Sequence, residues 1–193
     1  MTKIIGLTGG IGSGKTTVSR VFEILGIPVF NSDDCAKRYY NQNRSDLEHL
    51  ALAFGNEIFV NDKVDTQKLA AIVFNDTTAL QKLNAIIHPW VKNQFLEWLK
   101  NQNTSVVIRE AAILIESGSH RDCSSIIHVT APAELRIERA MKRNQWSRTE
   151  VIARMDKQWN DEQRLSYCQF EIINDDRHLV LPQIESVYRA ILD

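Results

Sequence analysis

Apolar residues recur along the chain at two different spacings. KIIGLT (3–8), IPVF (27–30), SVVIRE (105–110), SSIIHVT (124–130) and FEIIN (170–174) are short runs rich in branched aliphatic or aromatic residues. Bounded by glycine, proline or polar residues, they read as five strands, the first of them buried. Elsewhere the apolar positions fall three and four residues apart. Val18, Val21, Phe22 and Leu25 share one face of a helix predicted over 15–25, with Gly26 as its left-handed terminator. Val91, Phe95, Trp98 and Leu99 share a second face, and Pro89 is expected to start or kink that helix. Ile184, Val187, Tyr188 and Ile191 share a third, with Pro182 near its first position. SRTE (147–150) has the form of a capping box and opens a helix at Arg148. A further helix is expected over 34–40.

Strands alternating with helices predict a mostly parallel, three-layer α/β sheet. At 193 residues the chain suits one such domain with small insertions. The stretch 33–102 is mainly helical in pattern with no clear strand, and part of it is expected to form an insertion beside the sheet. The basic, helix-rich stretch 134–157 is expected to form a second.

Composition narrows the setting. A 44% hydrophobic and 24% charged chain with a net charge of −1 has no global bias toward nucleic acid or membrane. MTKIIGLTGG lacks a signal-peptide apolar core, and every apolar run is too short to cross a bilayer. Cys35, Cys123 and Cys168 are sparse, with no CxxC pair, which argues against zinc and dithiol redox chemistry and suits a reducing cytoplasm. Cys35 reads as a small buried residue.

The chemistry is concentrated in GGIGSGKTT, Gly9 to Thr17, between the first strand and the first helix. It fits G-x-x-x-x-G-K-[ST], a phosphate-binding loop. The backbone of Gly10, Ile11, Gly12, Ser13, Gly14, Lys15, Thr16 and Thr17 is expected to wrap phosphate oxygens, and glycine both removes side chains from that approach and reaches positive φ. Lys15 supplies a compact charge to the β and γ phosphates, and the Thr16 hydroxyl is the expected Mg²⁺ ligand. The motif alone leaves kinase, motor, switch and ATPase open. Asp33 lies just past the second strand, at the end of the sheet where ligands of open α/β folds sit. There its carboxylate is able to take a proton from an attacking hydroxyl, orient it, or touch the metal through water. The alternative is a helix N-cap made by Asp33 or Ser32, with Asp34 as a first-turn acid favoured by the helix dipole. No N-K-x-D guanine-binding sequence is present, which favours a small-molecule kinase over a GTPase switch.

LTGGIGSGKTTVSRVFEILGIPVFNSD, then VDTQKLAAIVFNDTTALQKLNAIIHPWV (64–91), EAAILIE (110–116), ERAMKRNQWSRTEVIARMDKQ (138–158) and EIINDD (171–176) carry a pattern over nearly the whole chain. In these blocks, and in their order, the chain resembles the dephospho-CoA kinase family. The resemblance implies a P-loop NTPase fold with a five-stranded parallel sheet, a core at about 1–33, 103–132 and 159–193, a helical substrate-binding insertion at about 34–102, and a helical lid at about 133–158. It implies ATP-dependent phosphorylation of the ribose 3′-hydroxyl of dephospho-CoA, with Mg²⁺, giving coenzyme A and ADP.

Asn31, Ser32 and Asp33 fall on the family's D-A-D; the first acid is replaced and Asp33 keeps the position of the candidate base. Lys15 and the lid residue Arg143 complete the implied catalytic set, because a guanidinium binds phosphate bidentately and keeps its charge. Arg139 and Asn174 are implied nucleotide contacts. His88, in the family's HP pair, Glu110 and Arg154 are implied substrate contacts, with Phe74, Leu83 and Asn84 at neighbouring signature positions. EAAILIE departs most from the family's D-x-P-L-L-[FY]-E. Glu110 replaces the aspartate, Ala112 the proline and Ile115 the aromatic; Glu116 is retained. Glu110 reads either as a metal ligand through water or as a solvated acid at a strand end. Gln158 matches the lid's closing glutamine, and Gln145 replaces its glycine. Two rival readings are a kinase for another small molecule, such as a nucleoside or shikimate, and an ATP-dependent switch protein.

Overall fold

The computed structural model describes residues 2–74 and 76–193. In chain order the elements are β1 (Lys3–Thr8), α1 (Lys15–Ile24), β2 (Val29–Asn31), α2 (Ser32–Tyr39), α3 (Glu48–Phe54), β3 (Phe59–Val60), β4 (Lys63–Val64), α4 (Thr66–Phe74), α5 (Thr77–Lys100), β5 (Val106–Glu110), β6 (Ser125–Thr130), α6 (Ala133–Asn144), α7 (Arg148–Met155), α8 (Asp161–Leu165), β7 (Phe170–Ile173) and α9 (Val180–Leu192). They fall into two compact units, Met1–Asn31 with Gln102–Asp193, and Ser32–Asn101.

The first unit holds a sheet of five strands in the order β2-β5-β1-β6-β7, every pair parallel. Leu7 lies opposite both Glu110 and Ile127, and Asn31 lies opposite Glu110, so these strands finish at one edge. The chain leaves β1 toward β2 and β5 and later fills the other side with β6 and β7. The order therefore reverses at the end of β1, which is the place where open α/β sheets bind ligands. Gly9 to Thr17 begins there. Val18 and Phe22 of α1 and Ile184, Val187 and Ile191 of α9 pack against Ile5, Leu7, Ile108, Ile127 and Ile172. Because the strands are covered on both faces, they read as continuous apolar runs rather than alternating ones. Each fully buried side chain of this size contributes about 1.5–3 kcal/mol.

Some local expectations shift. The first helix stops at Ile24, Gly26 takes φ 86, and Leu25 is 40% exposed, so the apolar face ends at Phe22. The α7 capping box forms as read: Ser147 Oγ accepts from the Glu150 amide, and the Glu150 carboxylate accepts from the Ser147 amide. Gln145, where the family pattern has glycine, sits left-handed at φ 57 as the C-cap of α6.

In the second unit two expectations are corrected. The segment FVNDKV is a β-hairpin, β3 paired antiparallel with β4. Asn61 and Asp62 both have positive φ, as a two-residue turn of the right twist requires. Pro89 does not start a helix. It lies inside α5, which opens at Asp76, whose carboxylate accepts from the amides of Thr78 and Ala79 at 2.8 and 3.0 Å. The buried residues Ala79, Leu83, Ile87, Val91 and Phe95 recur every fourth position across Pro89. That packed stripe offsets the roughly 3 kcal/mol that an interior proline costs a helix. α2 begins at Ser32, which puts Asp33 inside the first turn, beside Asp34, rather than before it. Cys35 is fully buried. Among the described residues no helix is long and apolar enough to cross a membrane.

Candidate active site

The glycine loop joins the last residue of β1 to the first turn of α1. Gly12 and Gly14 have φ of 76 and 95, a region in which a side chain is strained. Space is short as well: a Cβ on Gly12 would run into the main chain of Arg136, and one on Gly14 into the Asn174 amide. Lys15 Nζ donates to the Gly9 carbonyl at 2.7 Å and so spans the loop. Asn174 Nδ2 donates to the Ser13 carbonyl at 2.9 Å. Three amides of the stretch are already used: Ser13 toward the Gly10 carbonyl at 3.1 Å, Ile11 toward Gln158 Oε1 at 2.9 Å, and Thr17, contrary to its expected phosphate contact, toward the Gly14 carbonyl at 2.9 Å. The amides of Gly12, Gly14 and Thr16 meet no acceptor among the described residues. Together with the positive end of the α1 dipole they make an anion site. Thr16 and Thr17 are exposed on that first turn.

Several of the other candidate residues gather in the same unit. Arg139 donates to the Asn174 carbonyl at 2.9 Å and to Asp176 at 2.5 Å, so the two implied nucleotide contacts are coupled to each other and, through Asn174, to the loop. Arg143 lies one helical turn further along α6, exposed, with no hydrogen-bond or ion-pair partner among the described residues. Arg154 stacks on Trp146, its guanidinium carbon 4.0 Å from the ring centroid, and donates to the Glu150 carbonyl.

Glu110 is only 3% exposed, which corrects the solvated-acid alternative. Its carboxylate accepts from Asn31 Nδ2 at 3.3 Å. The two departures from the family pattern at these strand ends are thus partners. An amide at 31 gives the longer, buried acid at 110 a donor where a second carboxylate would repel it. Asp33 and His88 belong to the second unit. Asp33 is half-buried two residues beyond β2, and His88 is half-buried on α5.

Sequence reasoning missed a buried polar network in the first unit. Asp161, at the start of α8, accepts from Thr130 Oγ at 3.0 Å, and both of its oxygens accept from Arg136 Nη1, at 3.1 and 3.3 Å. His128, fully buried on β6, places Nε2 3.2 Å from the same carboxylate. Burial pushes the Asp161 carboxyl up, but His128, Arg136 and Thr130 outweigh it and hold the group down to about 2. Next to it Arg164, fully buried, donates to Glu116 at 2.8 Å. The retained Glu116 therefore has a structural partner of its own. Nothing in the spacing of Arg136 or Asp161 marks them: one is among many cations of a basic helix, the other reads as a first-turn acid.

The model of the dephospho-CoA kinase family matches residues 3–179. A dephospho-CoA kinase of Bacteroides fragilis is 39% identical over 181 residues, covering 93% of this chain and 88% of the relative. A crystal structure of TT1252 from Thermus thermophilus superposes with a TM-score of 0.86 at 33% identity, covering 99% of this chain and 96% of the other. The dephospho-CoA kinase from Campylobacter jejuni superposes at 0.68 with 26% identity, covering 100% and 96%. A phosphate loop at the sheet's switch point, a basic helix pair beside it and a match along nearly the full length lead to one assignment: the chain belongs to the dephospho-CoA kinase family.

Proposed function

We propose that the protein transfers the γ-phosphoryl group of ATP to the ribose 3′-hydroxyl of dephospho-CoA, giving coenzyme A and ADP. The observation that carries this reading is the family match over residues 3–179, which includes the whole phosphate loop. The open amides of Gly12, Gly14 and Thr16 and the Lys15 ammonium receive the phosphates. Asp33 takes the proton of the 3′-hydroxyl as its oxygen bonds to the γ-phosphorus and the bond to the β-phosphate oxygen breaks. Lys15 and the unpaired Arg143 neutralise charge on the moving phosphoryl group and on the leaving ADP. The lid is formed by α6 and α7, and its closure excludes water as a competing acceptor. His88 on α5 and Arg154 on α7 bind the acceptor, while Glu110, buried against Asn31, supports the strand ends from within.

The donor set of the loop fits Mg²⁺. The Thr16 hydroxyl lies on the exposed first turn of α1, and the ion usually takes few protein ligands beside substrate phosphates and water. When bound, it would neutralise phosphate charge. We place the protein in the cytoplasm; its three thiols are free, and burial pushes those of Cys123 and Cys168 up to about 11, which keeps them protonated and unreactive.

Product analysis tests the reading. ATP and dephospho-CoA should yield a compound with the mass of coenzyme A and a 3′-phosphomonoester signal in its phosphorus spectrum. ATP hydrolysis with dephospho-CoA recovered unchanged would overturn it.

A further inference from the structure

Ile11, in the middle of the phosphate loop, is held from both sides by residues far away in sequence. Its carbonyl accepts from Arg136 Nε at 3.1 Å, and its amide donates to Gln158 Oε1 at 2.9 Å. Arg136 is 7% exposed in the first turn of α6. Its Nη1 donates to both Asp161 oxygens, at 3.1 and 3.3 Å. Asp161 in turn is fixed by Thr130 at 3.0 Å and faces His128 at 3.2 Å, so the clamp is anchored in β6 and α8. Gly10 and Gly12 lie against the same arginine. A Cβ on Gly10 would meet the guanidinium, and one on Gly12 the Arg136 main chain. Two of the loop's glycines thus make room for Arg136 as well as for a phosphate.

A loop with four glycines in six residues, 9–14, has many conformations to lose. One fixed peptide in its middle removes most of that freedom before any nucleotide arrives. We propose that Arg136 is a positioning residue for nucleotide binding: tied to Asp161, it holds the Ile11 carbonyl and thereby aims the Gly12 amide of the same peptide unit at the phosphates. Its action runs through Ile11: Nε is engaged by the Ile11 carbonyl, Nη1 by Asp161, which also meets its charge, and Nη2 lies against Gly10. Arginine suits the task because its rigid fork presents donors in two directions at once, toward Ile11 and toward Asp161; lysine offers one point of charge.

The inference rests on the reading of Gly9 to Thr17 as the ATP site, so its primary readout is ATP binding without the acceptor, and dephospho-CoA serves only as the control. Calorimetric titration with Mg·ATP is carried out on the full chain, Arg136→Lys and Arg136→Met, with KM for dephospho-CoA and Tm measured in parallel. Both variants should bind ATP about 10-fold or more weakly, the size of one lost hydrogen bond to a charged group. KM for dephospho-CoA should stay within about twofold. Arg136→Lys keeps an ion pair with Asp161 and therefore most of the Tm, yet loses the Ile11 contact and the ATP affinity. If Arg136→Met fails to fold, Arg136→Lys decides alone. An Arg136→Lys variant that binds ATP like the parent, or losses of equal size for both substrates that track Tm, would overturn the proposal. A parent chain that binds ATP but leaves dephospho-CoA unmodified would instead remove the functional reading and leave the clamp standing.

Discussion

Asp161→Asn keeps the shape of a side chain that faces His128, Arg136, Arg164 and Thr130 and removes its charge. The carboxyl sits at about 2 against an ordinary 3.8. At about 1.4 kcal/mol per unit this amounts to about 2.5 kcal/mol of stabilisation. That figure already contains the lost pairing with Arg136, so about 2–3 kcal/mol is expected at neutral pH. For a chain of this size that lowers Tm by roughly 5–15 °C. The sign with pH follows from the depressed value. The unfolded chain takes the proton first as acid is added, so the contribution is whole above about pH 4 and drains as pH falls toward about 2. Urea unfolding of parent and variant over a pH series reads this directly. The gap between them should be widest near neutrality and narrow below about pH 4. A gap under about 0.5 kcal/mol near neutrality, or one that stays constant down to about pH 3, would refute the reasoning.

Asp33→Asn should leave ATP affinity unchanged and lower phosphoryl transfer by roughly 10²–10⁴-fold, the range for a lost general base; near-normal turnover would remove Asp33 from the mechanism. Arg143→Ala should chiefly lower kcat, and an effect confined to dephospho-CoA affinity would contradict its phosphoryl role. Gln145→Gly replaces a side chain held at φ 57 and should raise unfolding free energy by a few tenths to about 1 kcal/mol, measured by urea denaturation. A loss of stability there would mean that the Gln145 side chain, which donates to the Lys142 carbonyl, matters more than the strain.

The sheet was legible because its strands are buried on both faces, and such strands carry an apolar run that composition alone reveals. The phosphate loop was legible because local conformation and ligand impose the same residues. The hairpin at Phe59–Val64 escaped because each strand is two residues long, too short for any alternation, and its turn is Asn-Asp rather than Asn-Gly. Pro89 does not open its helix, as one of its two expected roles required, because the local rule about helix interiors is outweighed by a stripe of packed residues on both sides of it. The Arg136–Asp161–His128 network was invisible for a different reason. Its members come from α6, α8 and β6, and only the fold brings an ordinary-looking arginine and aspartate beneath the same loop. Glu110 also needed the structure: sequence left it a ligand or a solvated acid, and the register opposite Asn31 buries it against a donor.

The most direct test of the central claim is the rate of ADP release from Mg·ATP with and without dephospho-CoA, with shikimate and adenosine as alternative acceptors. The account predicts release that depends on dephospho-CoA, matches the coenzyme A formed mole for mole, and is not stimulated by the alternatives. Slow release indifferent to dephospho-CoA, or stimulated instead by another acceptor, would contradict it.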